Sequence, residues 1–234
     1  MALRILGLAL EALGRHRRAV FTAILLPAVL LVAADTLGPW ATISTFGRLL
    51  YAVVSLAAYV WLAIAIHRIV LLEDTFKLRW GWRETRFTGW LFLFSFAIGL
   101  VAWFVIAAFE SIGMPAGGII GTAFQIVVAI GVVYFASQYF LIFPAVAVDR
   151  KYKLAHSSVD TEDYRMTTFA VVAIFPVMLS LIELPASLIP NVVLYSLVRS
   201  LLSIISITIG VAMLSVLFRE LSPRTGPSRL TSRR

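Results

Sequence analysis

Six nearly unbroken apolar stretches run along the chain, at positions 19–34, 49–72, 87–109, 117–148, 168–184 and 192–218. A helix needs roughly 20 such residues to cross the hydrocarbon core, and none of the six alternates with period two as a membrane barrel strand does. The pattern predicts an all-α membrane protein with about six transmembrane helices. The first stretch is short and contains Pro27. The fourth is too long for a perpendicular helix, which predicts a tilt or a turn along the interface after Pro144, where proline breaks the helical ladder.

The polar positions between the stretches set an orientation. Seventeen of the twenty Lys and Arg residues fall before the first stretch, between the second and third, between the fourth and fifth, or after the sixth, and Arg68 stands near the close of the second, on the same side. With six crossings these share one side, leaving Arg48 and Arg199 with Asp35, Glu110 and Glu183 on the other. The positive-inside rule puts both termini and the two larger loops in the cytoplasm. Residues 1–17 form an amphipathic helix with Leu3, Leu6, Leu10 and Leu13 opposite Arg4, Glu11, Arg15 and Arg18, suited to lie in the interface. Residues 18–219 form the bundle, and 220–234 are polar, basic and expected to be disordered.

The two cytoplasmic loops resemble each other. Leu72-Glu73-Asp74-Thr75-Phe76-Lys77-Leu78 and Val148-Asp149-Arg150-Lys151-Tyr152-Lys153-Leu154 both read apolar, acidic, any, any, aromatic, Lys, Leu. Arg86-Phe87-Thr88 and Arg165-Met166-Thr167 then open the following spans. The two anchors predict a parallel hairpin repeat, about 48–110 and 124–189, whose copies start an even number of spans apart. Chance likeness between short loops of few residue types is the competing explanation.

Phe143-Pro144-Ala145-Val146-Ala147-Val148-Asp149 followed by Ala155 and Ser158 resembles a "Leu-Pro-Ala-x-x-x-acidic … Ala-x-x-Ser" signature of bacterial multi-pass proteins. These are the YciC-like family and the membrane domain attached to some glycerophosphodiester phosphodiesterases. His67-Arg68-Ile69-Val70-Leu71-Leu72-Glu73 is similar to a segment of alphaproteobacterial inner-membrane proteins. The usual aromatic-Arg-Leu-Thr after the serine is replaced by Val159-Asp160-Thr161-Glu162-Asp163. The resemblance implies a multi-pass protein of a bacterial inner membrane and carries no catalytic residue with it.

Composition narrows the chemistry. At 61% apolar and 14% charged residues, the chain is far from the roughly one-quarter charged content of soluble domains. Without cysteine, thiolate metal sites and cysteine nucleophiles are excluded. The net charge of +8 is read as attraction to anionic headgroups, with no nucleic-acid partner. The candidate lipid-contacting residues are Arg15, Arg17, Arg18, His67, Arg68, Trp80, Trp82, Arg83 and Arg86. His67 beside Arg68 has two readings, an interfacial anchor or a proton relay. Glu110, Glu183 and Arg199 either line a polar vestibule inside the bundle or only fix helix depth at the outer surface. Ser137, Gln138 and Tyr139 are expected to hold helices together.

No enzyme motif, cofactor site or metal site is read. The expected function is that of a non-enzymatic accessory or organising membrane component acting through lipid contacts and possible contacts with other membrane proteins. The alternative is a small transporter or lipid-handling protein. Because the chain is cysteine-free, single introduced cysteines map its topology directly. A cysteine replacing Trp40 is expected to react with an impermeant maleimide only from the side opposite a cysteine placed at Arg224. Labelling of both from one side sinks the six-crossing map.

Overall fold

The computed structural model describes residues 1–41, 44–73, 80–111 and 118–222. Among these residues the regular elements are helical and no strand occurs. They are α1 (Ala2–Arg15), α2 (Arg17–Ala41), α3 (Thr45–Leu72), α4 (Trp82–Ser111), α5 (Gly118–Ser137) and α6 (Ile142–Ala147), followed by α7 (Leu154–Thr161), α8 (Arg165–Phe169), α9 (Phe175–Ser180) and α10 (Val192–Leu221). Five helical segments are long and apolar enough to cross a membrane: Arg17–Thr36, Thr45–Leu72, Trp82–Phe109, Leu154–Leu188 and Val193–Leu221. Gly121–Ser137 is a shorter apolar helix.

The fourth apolar stretch departs from expectation. It neither tilts as one helix nor turns along an interface after Pro144. The break comes earlier, at 138–141, and the following α6 is buried along its whole length. Pro144 has no N–H for the Phe140 carbonyl four residues back. That carbonyl takes the Phe143 N–H at 3.1 Å instead. The Gln138 carbonyl, freed at the end of α5, accepts the Ser157 hydroxyl at 2.7 Å with the Thr161 hydroxyl 3.2 Å away. Ser137, Gln138 and Tyr139 thus mark where α5 is capped by α7, through a backbone carbonyl rather than their side chains.

Proline also shapes the segment Leu154–Leu188. A π-helical turn (Ala170–Ile174) precedes Pro176, and a 3-10 helix (Leu181–Leu188) contains Pro185. Each proline leaves the carbonyl four residues back, Val172 or Leu181, without its usual donor, and the winding changes there.

Packing is tightest at the arginine-rich end. Ile64, Ile66 and Ile69 of α3, all of α6, and Met213, Val216, Leu217 and Leu221 of α10 are buried together. The amphipathic α1 docks there: Ile5 and Ala9 are buried, the helix packs on α10, and Arg4 pairs with Glu220 at 3.7 Å. Leu3 and Leu10 remain exposed, so α1 has one apolar face on the bundle and a second free for acyl chains. Toward the opposite end α4 loses most of its cover. Between 92 and 104 on α4 only Phe94, Ile98 and Ala102 are even partly covered. Further along, Phe109 stacks on Phe124 of α5 at 3.5 Å, beside Gly121.

This uneven packing predicts uneven mutational cost. Leu217→Ala is expected to lower stability in detergent by about 2–4 kcal/mol through an unfilled cavity. Leu93→Ala, on the uncovered face of α4, is expected to stay within about 0.5 kcal/mol. Thermal unfolding of the two variants compares them directly.

Candidate functional site

Two polar clusters stand out, one at each end of the bundle. At the arginine-rich end, Glu73 closes α3 and Asp149 follows α6. They are the two non-glycine residues with positive φ among the described residues, at +55° and +56°. Asp149 accepts Arg83 at 3.3 Å and lies 3.7 Å from Arg68, joining α3, α4 and the end of α6. Arg83 also pairs with Glu84 at 2.8 Å. Glu84 is only 3% exposed and accepts the Gly81 N–H at 2.9 Å, capping α4 from its first turn. Near the second acid, Tyr152 donates to the buried Asp160 at 2.7 Å. Burial and that carboxylate push the Tyr152 phenol well above its usual range.

These contacts correct three expected headgroup ligands. His67 is 1% exposed and does not reach an interface. Its Nδ1 lies 2.7 Å from the Ser215 hydroxyl. Ser215 in turn donates to the Val211 carbonyl at 2.8 Å, so it accepts from His67, and the pair ties α3 to α10. No carboxylate appears among the partners described for His67, so the relay reading lacks its second member there. Arg68 and Arg83 are mostly buried and held by Asp149 and Glu84. A carboxylate already within 4 Å holds a guanidinium ahead of a more distant phosphate, even though Asp149 itself is 56% exposed.

The other expected lipid contacts stay accessible. Arg15, Arg17, Arg18, Trp80 and Trp82 are exposed and Arg86 is half-buried. Arg15 is bridged to Glu11 at 2.8 Å within α1. Arg17 and Arg18 line a shallow hollow with Phe21 and Thr22. The ring of Trp80 meets Trp61 edge-on at 5.8 Å. The Glu110 side chain lies outside the described residues, as do Phe76 and Lys77 of the first loop and the tail from 223 onward.

At the opposite end Glu183 and Arg199 come together, with Arg199 Nε 3.8 Å from Glu183 Oε2. Their surroundings differ. Arg199 is 58% exposed, lying over the Tyr195 ring, whereas Glu183 is 22% exposed. Glu183 faces a cleft of about 360 Å³ between the Leu154–Leu188 segment and α10, bounded also by Phe140, Val172, Pro176, Ser203 and Leu214. One member of the pair therefore turns inward and the other outward, and neither reading made from sequence holds for both.

A further cluster was invisible to sequence reasoning. Asp35 of α2 accepts the Tyr51 hydroxyl of α3 at 3.0 Å and the Ser200 hydroxyl of α10 at 2.6 Å, pinning three helices at one level. The available signal was periodic: Ser200, Thr208 and Ser215 are buried on one face of α10, a polar stripe within an apolar helix. No protein-family model matches this chain, and no curated protein or solved structure is detectably similar to it.

The two left-handed acids make a controlled pair. Glu73 is exposed and, among the described residues, pairs with His16 at 3.9 Å, so Glu73→Gly is expected to stabilise by up to about 1 kcal/mol through relief of backbone strain. Asp149→Gly gains the same relief but leaves Arg68 and Arg83 facing each other, and is expected to destabilise by on the order of 1 kcal/mol. Equal stabilisation by both glycines, read from unfolding in detergent, shows that the Asp149 network contributes nothing.

Proposed function

We propose that this chain crosses the membrane six times, with Gly121–Ser137 and its flanking residues completing the count, and that both termini lie in the cytoplasm of a bacterial cell. It works there as a non-enzymatic accessory or organising component that holds anionic phospholipid headgroups on its arginine-rich face. The observation that carries this reading is a division among the cations. Arg68 and Arg83 are consumed by internal carboxylates. Arg17 and Arg18 instead flank an open hollow beside Phe21, an apolar ring next to two charges. That combination suits a phosphate with its acyl chain alongside.

The exposed Trp80 and Trp82 support the same placement, because indoles favour the headgroup level. The exposed Leu3 and Leu10 of α1 add a surface that acyl chains can cover. The parallel hairpin repeat belongs to this reading as well. It is supported by the matched left-handed acids Glu73 and Asp149, and by Glu84 and Asp160, the buried carboxylates that follow each acid at the same sequence distance. The halves differ in detail, since α3 runs unbroken while α5 is interrupted before α6. A second reading, a lipid-handling or transport protein, is favoured by one feature, the cleft faced by Glu183.

The test is lipid selectivity of the purified protein. Each basic residue near an anionic surface contributes about 1 kcal/mol, so replacing Arg15, Arg17 and Arg18 together by Gln is expected to weaken retention of phosphatidylglycerol at least roughly tenfold. Native mass spectrometry reads the retained lipid. Unchanged retention in the triple variant overturns the headgroup role.

A further inference from the structure

We propose that the cleft between the Leu154–Leu188 segment and α10 holds one acyl chain of a zwitterionic, amine-bearing phospholipid, with the headgroup at Glu183 and Arg199. The headgroup end of the site lies away from the arginine-rich face, and its floor reaches Leu214 beside the packed core. It gives the lipid-handling reading a substrate class, resting on that reading's cleft and on none of the headgroup contacts of α1 and α2.

Length is the first argument. Ser203, Ser206, Ile207, Gly210, Val211 and Leu214 line the cleft from α10, at the spacing of a single helix face. Eleven residues separate the first from the last, a rise of about 16 Å. One leaflet is half of a hydrocarbon core about 30 Å thick. The cleft is therefore as long as one leaflet is deep, and its volume of about 360 Å³ is at the lower end of the roughly 300–1,000 Å³ typical of ligand pockets.

Lining and charge then sort by depth. Toward Leu214 the walls are Phe140, Val171 and Val211, and nothing there competes with a hydrocarbon chain. The hydroxyls nearby are already occupied: Ser180 donates to the Val177 carbonyl at 2.7 Å and Ser206 to the Leu179 carbonyl at 3.4 Å. Glu183 stands at the other end, facing the cleft, and Arg199 beside it points outward. A carboxylate and a guanidinium side by side complement an ammonium and a phosphate of one headgroup. The same carboxylate repels a headgroup that carries only negative charge, so the mouth selects as well as binds.

The wall itself is unusual. Val171 and Val172 sit in the π-helical turn and Glu183 in the 3-10 helix, departures from α-winding that often accompany binding sites. Gly210 leaves open space: a Cβ added there meets nothing within 4 Å.

The test uses the full chain in mild detergent, titrated with phosphatidylethanolamine or phosphatidylglycerol of identical acyl chains and read by native mass spectrometry. Wild type is expected to retain one phosphatidylethanolamine in preference to phosphatidylglycerol at this site. Gly210→Leu fills the cleft and is expected to remove that lipid without lowering the unfolding temperature. Glu183→Gln keeps the cleft and is expected to abolish the preference, changing the ratio of the two affinities roughly tenfold. The triple glutamine variant at Arg15, Arg17 and Arg18 is expected to leave this binding intact, which separates it from the cytoplasmic-face role. Wild-type phosphatidylethanolamine retention in Gly210→Leu, an unchanged lipid preference in Glu183→Gln, or a stoichiometric protein bound in place of lipid would each overturn the proposal.

Discussion

A backbone carbonyl at membrane depth has no water to turn to, and the architecture of this chain follows from that constraint. Pro144 withholds its N–H from the Phe140 carbonyl, which takes the Phe143 N–H instead, and six residues earlier the Gln138 carbonyl, just past the end of α5, turns out of the helix. Ser157 supplies the donor from α7. This bond links α5 to α7, and α6 between them has all six residues buried. The same deficit at Pro176 and Pro185 is met by rewinding into π and 3-10 geometry, and the rewound stretch is what lines the cleft against α10.

Side-chain polarity obeys the same constraint. His67 meets Ser215, Asp35 meets Tyr51 and Ser200, and Asp149 gathers Arg68 and Arg83. Each contact joins separate parts of the fold, so the polar groups act as fasteners between apolar helices whose mutual attraction in lipid is weak. His67–Ser215 and the Asp149 group lie with the buried apolar core at the arginine-rich end, whereas Asp35 fastens α2, α3 and α10 toward the opposite end. Toward the opposite end α4 is covered along one stripe only.

The exposed and the buried cations differ in what they can do. A guanidinium already paired with a carboxylate in a partly buried site is held by the fold, as Arg68 and Arg83 are. A guanidinium at an exposed helix start, as at Arg17 and Arg18, is available to a phosphate. Glu183 and Arg199 combine both behaviours in one pair, and that asymmetry gives the cleft a charged mouth.

The apolar helices long enough to cross a membrane were legible in the chain, because hydropathy over some twenty residues is a local property. So was the likeness of the two loops, whose matched acids Glu73 and Asp149 adopt one backbone conformation. The fates of individual polar residues were not legible. His67 and Arg68 are neighbours in sequence, yet one is buried on Ser215 and the other pairs with Asp149, since successive residues of a helix point in directions about a quarter-turn or more apart. Asp35 and Ser200 are far apart in the chain and touch only because α2 and α10 pack side by side. A polar group in lipid takes whichever partner the packing of helices brings within reach, and only the tertiary structure decides which that is.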